Sequence, residues 1–98
     1  MWIGWIELDL RLGEVRSLKT KRSVVRPIIA EVRKRFQVSV AEVDHLDLYR
    51  RAGIGAAVVA PDRAHVVDML DSIERLVAYR PDVELLSARR HLRTSEDE

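Results

Sequence analysis

The chain has 98 residues, nearly half of them hydrophobic and about a third charged, with no cysteine and a net charge of +1. That length supports one core and one domain, and the composition is that of a globular chain, not a disordered one. The absence of thiols excludes disulfides, thiolate metal sites and thiol catalysis.

From Trp2 to Leu12 the side chains alternate, with Trp2, Gly4, Ile6, Leu8, Leu10 and Leu12 on one side and Ile3, Trp5, Glu7, Asp9 and Arg11 on the other. A period of two predicts a half-buried strand, β1. Its apolar start meets Glu7 and Asp9 within a few positions and has no basic flank, so we expect neither a secretory signal nor a membrane span. After Gly13 the spacing changes: Leu18, Val25, Ile29, Val32 and Phe36 recur on one helical stripe, which predicts helix α1 with Ser17 as its N-cap. Pro27 lies inside that stripe and lacks a backbone donor, so a kink or a start near Ser23 is expected.

Residues 37–44, rich in valine, predict β2, and the small and β-branched run 53–60 predicts β3, with His45–Ala52 as their connector. Pro61 and Asp62 end that strand and cap a second helix, α2, whose Val66, Leu70, Ile73 and Val77 share one side. Its outward face carries Asp68, Asp71, Glu74 and Arg75. Pro81 closes it before β4, read as 82–92, and residues 93–98 read as a flexible polar tail beyond a single domain spanning 1–92.

The order β1-α1-β2-β3-α2-β4 is two split βαβ halves, the α+β, ferredoxin-like arrangement of four antiparallel strands with both helices on one face. The other sheet face is then open, and on β1 it displays Ile3 and Trp5. Exposed apolar sheet surface commonly finds a partner, so these two residues mark a candidate homodimer face.

Three stretches, Ser17–Arg22, Val38–His45 and Asp62–Val66, together with the lengths between them, resemble the YlxP family of small bacterial proteins of unassigned function. The resemblance spans nearly the whole chain. It implies a ferredoxin-like fold, and the family's genes often neighbour those for translation initiation and ribosome maturation, a context similar to that of ribosome-binding factors. This chain departs from the pattern at Tyr49 and Arg50, where the family's connector holds Trp and Gln, and at Pro27. No catalytic residue is established for the family, so the resemblance carries none over.

Charge supplies the best functional clue. Residues 11–35 hold nine basic side chains against Glu14 and Glu31, a local balance of +7 that leaves −6 for the remainder. Such segregation gives the molecule one end that attracts polyanions. Arg16, Lys19, Lys21, Arg22, Arg26 and Arg33 are the expected nucleic-acid contacts, with Lys34 and Arg35 complementing the helix C-terminus. If about four to six of these cations engage phosphates, log K falls with log salt at a slope of roughly −4 to −5. The competing reading is a solvated helix face that keeps the protein soluble. Strand β3 has no aromatic side chain for base stacking, so structured RNA, read by shape and phosphate, is the expected partner.

The connector holds the densest polar group: Asp44, His45, Asp47, Tyr49, Arg50 and Arg51. As chemistry, His45 with Asp44 or Asp47 is an acid–base pair or part of a divalent metal site, but the spacing matches no specific metal motif. As structure, Asp47 caps a short helical turn and His45 packs against it. As a binding surface, Tyr49 stacks and the arginines meet phosphate. The expectation is a cytoplasmic, non-enzymatic protein without cofactor or metal that docks on ribosomal or other structured RNA through α1, with the connector as auxiliary contact. The alternative is a homodimeric module recognising an acidic protein. A small phosphate-ester hydrolase with Arg16 as anion cradle comes third, and no glycine-rich phosphate loop accompanies it.

Overall fold

A computed structural model describes residues 1–97 and gives β1 Trp2–Leu12, α1 Leu18–Phe36, β2 Ser39–Asp44, β3 Arg51–Ala60, α2 Arg63–Ala78 and β4 Val83–Thr94. The strands form one antiparallel sheet in the order β2-β3-β1-β4, the ferredoxin-like topology expected from the alternation of periods. Among the described residues no helix is long and apolar enough to cross a membrane.

The core lies between the helices and one sheet face. Strand β1 sends Ile6, Leu8, Leu10 and Leu12 into it, β3 sends Ala52, Ile54, Ala56, Val58 and Ala60, and α2 closes over them with Val66, Leu70, Ile73 and Val77. Gly4 lets α2 approach β1 closely, because a Cβ there would run into a Val66 methyl and lie 3.2 Å from Leu70 Cδ1.

Both predicted caps form: the Ser17 side chain accepts from the Thr20 N–H at 3.1 Å, and Asp62 accepts from the His65 N–H at 2.8 Å. Helix α1 starts at Leu18 and runs through Pro27, so the expected start near Ser23 is corrected. Both Pro27 and Ser23 are exposed, which leaves the carbonyl that would have bonded the proline nitrogen on the wet side. The buried stripe of α1 is also shifted. It is Lys21, Val25, Ile28 and Val32, with Ile29 and Phe36 only half buried.

Three boundaries move. Strand β2 begins at Ser39, because Gln37 adopts the left-handed conformation (φ 53°) that ends α1. Strand β3 begins at Arg51, which pairs with Arg11. Strand β4 continues past Leu92, where a tail was expected: Arg93 and Thr94 pair with Ile3 and Trp2, and the Ser95 N–H donates to the Met1 carbonyl at 2.8 Å. On α2, Asp71 and Glu74 do not face open solvent as expected. They receive the guanidinium of Arg90 on β4 at 2.6 and 3.1 Å.

Candidate nucleic-acid interface

At 100° per residue, Lys19, Arg22, Arg26 and Arg33 fall within an arc of about 60° on α1 and span about 21 Å along it. All four are exposed. No described side chain forms a hydrogen bond or ion pair with Lys19, Arg22 or Arg26. Arg33 donates to the Val40 carbonyl of β2 at 2.9 Å, which steadies its guanidinium beside the strand. The one carboxylate of the helix, Glu31, lies off this ridge and is held by Arg80 at 2.9 Å. Arg16 stands in the loop before the helix, exposed and 3.9 Å from Glu14.

Lys21 is a correction. It is 2 % exposed, its ammonium donates to the His45 carbonyl at 2.7 Å, and it lies 2.9 Å from Glu42 Oε2 on β2. That carboxylate oxygen is buried without a directed hydrogen bond, so the contact is one of charge. The lysine therefore ties α1 to the connector and is withdrawn from the outer surface.

The connector divides in two. Between β2 and β3 the register shifts at Glu42/Asp44, and this bulge folds Asp44 down onto Gly53, where an added Cβ would lie 2.6 Å from the aspartate's Cβ. His45 follows in the left-handed conformation (φ 57°), its N–H bonded to Asp44 Oδ1 at 2.8 Å. The imidazole consequently reaches across β3 to β1: Nε2 is 3.4 Å from Asp9 Oδ1, while Nδ1 faces Asp44 Oδ1 at 3.9 Å. Arg51 grips Asp9 with two guanidinium nitrogens. Hydrogen bonding from Arg51, aided by its charge and by His45, holds the Asp9 carboxyl below the usual aspartate range. Asp9, Asp44, His45 and Arg51 thus line a cleft of about 310 Å³ on the open sheet face, with Glu7 and Arg89 beside them.

The remaining connector residues lie elsewhere. Arg50 donates from Nε to the Gly13 carbonyl at 2.9 Å, fastening the connector to the loop after β1. Asp47 and Tyr49 are exposed, and the expected helical turn capped by Asp47 is instead a single turn closed by the Leu48 N–H on the His45 carbonyl at 3.0 Å. Both ring nitrogens of His45 face carboxylates already in use, so the cluster works as a clasp between three strands. Among the described residues no group of three His, Asp or Glu side chains is close enough together to hold a metal ion.

Sequence reasoning missed Asp9 and Glu42. Acidic residues in strand interiors are depleted unless paired, and that was the available signal for both. On the open face Trp5 stacks on His91, its partner across β4, with ring centroids 4.9 Å apart and planes 17° from parallel. Ile3 lies on the same side, and Val59, opposite it on β3, is 61 % exposed.

The family described as "Protein of unknown function (DUF503)" matches residues 3–90. The chain is 29 % identical over 82 residues to the "Uncharacterized protein YlxP" of Bacillus subtilis (strain 168), covering 84 % of this chain and 89 % of that protein. Among solved structures, the solution NMR structure of a de novo designed protein with ferredoxin fold is similar with a TM-score of 0.54 at 15 % identity. The match covers 99 % of this chain and 89 % of the designed one, a likeness of fold alone.

Proposed function

The chain belongs to that family of unknown function, and from its own side chains we propose that it is a non-enzymatic binding protein that docks on structured RNA, the ribosome included, through α1. The observation that carries this is the outer ridge of α1, where Lys19, Arg22, Arg26 and Arg33 line up with no acidic residue among them. Three of the four are arginines, whose planar fork takes two phosphate oxygens at once, and a rigid helix fixes their spacing. Carboxylates of an acidic protein would also be attracted. A straight row about 21 Å long matches the regular charge of a nucleic-acid backbone better than the irregular charge of a protein surface. Since β3 offers no aromatic ring, recognition runs through phosphates and shape.

The connector is an auxiliary contact in a reduced form, with Tyr49 and Asp47 exposed and Arg50 held by the Gly13 carbonyl and 3.8 Å from Glu14. Cytoplasmic placement follows from this partner.

The test is filter binding to a ribosomal RNA helix across a salt series. With three or four cations engaged, log K falls against log salt with a slope of about −3 to −4. The triple reversal Lys19→Glu, Arg22→Glu, Arg26→Glu abolishes retention while the fold persists. Absence of binding at low salt, or full binding by the reversed variant, overturns the reading, and retention of an acidic protein in place of RNA favours the alternative partner.

A second reading, compatible with the first, has its own observation. Ile3, Trp5 and Val59 form apolar surface on the uncovered sheet face. A homodimer through this face leaves both α1 ridges outward and doubles the cationic surface.

A further inference from the structure

The end of α1, the C-terminal half of α2 and the turn before β4 flank an open groove of about 810 Å³. Its apolar surface comes from Phe36, Leu76, Tyr79 and Pro81, with Arg35 and Arg75 at the rim. The two acids present are already bound. Arg80 bridges Glu31 at 2.9 Å and Asp82 at 3.0 Å. Tyr79 is 81 % exposed, and among the described residues neither its hydroxyl nor the Arg75 guanidinium has a partner. The Arg35 guanidinium lies 6.0 Å from the centre of the Phe36 ring, and both residues line the α1 side of the groove whose α2 side carries Tyr79.

We propose that this groove takes one unpaired nucleobase of an RNA whose phosphates lie on the α1 ridge. The inference rests on the phosphate-binding role proposed for that ridge and adds a feature of the RNA, a bulged or flipped-out nucleotide next to a paired stem. Charge argues for a base rather than a free phosphate. Three arginines against two carboxylates leave about +1, and Arg80 is already shared between both acids. The C-terminus of α2, worth about half a negative charge, offsets part of the remainder, so a bare phosphate gains little here. A base gains from ring-on-ring contact with Tyr79, from guanidinium stacking on the Arg35 side, and from arginine donors at its edge. Lys34, between the ridge and the groove on the same helix, offers a cation to the backbone on the way from one to the other.

The experiment compares two hairpin RNAs of equal charge, one fully paired and one with a single bulged adenosine, for the native chain, Tyr79→Ala and Tyr79→Phe. The native chain binds the bulged hairpin more tightly. Tyr79→Ala loses about tenfold on it and leaves the paired hairpin unchanged, and Tyr79→Phe retains the preference, as stacking requires. The exposed ring makes unfolding by the alanine variant no obstacle, and circular dichroism checks it. Equal affinity for both hairpins, or equal losses on both in Tyr79→Ala, overturns the base site and leaves the ridge standing. Failure of every chain to bind either hairpin at low salt overturns the ridge, and with it the groove as a subsite.

Discussion

Lys21 and Glu42 form an ion pair at 2.9 Å beneath α1, and the lysine that makes it stands among cations that all face outward. Removing one partner of a buried pair leaves the other charge stranded, which costs more than the pair contributes. Lys21→Met therefore destabilises the fold by about 3 kcal/mol, the low end for a buried pair because Glu42 keeps some exposure. The double change Lys21→Met, Glu42→Leu recovers most of the loss. Urea denaturation midpoints of the three chains measure it.

The same residue separates two kinds of cation in binding. Arg22→Ala and Arg26→Ala each reduce the magnitude of the salt slope by about 1, as expected when one phosphate contact is lost. Lys21→Met, assayed where it is folded, leaves the slope as it was.

Gly53 is needed because the bulged end of β2 lies directly on it. In Gly53→Ala the new Cβ would sit 2.6 Å from Asp44 Cβ and 3.2 Å from its backbone, neither of which can swing aside. A loss of about 1 to 3 kcal/mol is expected, with displacement of the His45 resonances. Gly55→Ala meets only Val43 methyls at 3.1 and 3.2 Å and is milder. Equal effects at the two positions would refute the bulge as the cause.

Acid stability follows from two arginine-held aspartates. Hydrogen bonds from Arg51 to Asp9 and from Arg80 to Asp82 hold both carboxyls below the ordinary value of 3.8. A carboxyl whose folded-state pKa is depressed contributes fully above its unfolded value and ceases to contribute as pH falls through the folded one. Asp9→Asn and Asp82→Asn each lower stability at neutral pH and flatten its decline below 3.8, seen in thermal melts between neutral and acid pH. Both sites are partly exposed, so the effect of each shrinks in high salt.

If the uncovered sheet face pairs two copies, Trp5→Glu abolishes the pairing while leaving the paired-hairpin affinity per chain intact. Sedimentation velocity is the measurement: the native chain dimerises at about micromolar concentration, within the range that modest apolar burial supports, and the variant stays monomeric. A native chain that remains monomeric at high concentration refutes the homodimer.

The element order and the sheet's two faces were legible because Ile6, Leu8 and Leu10 alternate and Val66, Leu70 and Ile73 do not. Local pattern is enough for that. Lys21 was misplaced because a lysine reads as solvent-facing until Glu42, distant in sequence, is brought under it. Asp9 became part of the candidate site only once strand register and the bulge at Val43 brought His45 over it. The end of β4 was underestimated because Arg93 and Thr94, followed by Ser95, Glu96 and Asp97, resemble a solvated tail in composition. The alternation of Arg89, His91 and Arg93 with Ala88, Arg90, Leu92 and Thr94 was the better guide.

Strand β2 is an outer strand of the sheet, and outer strands invite addition of foreign chains. Here the Arg33 guanidinium rests on the Val40 carbonyl, and the register shift before Asp44 twists the strand out of flatness. A charged cover and a kink are the devices by which natural sheets resist fibrous growth. Arg33, a member of the proposed docking ridge, thus also shields the sheet's edge from aggregation.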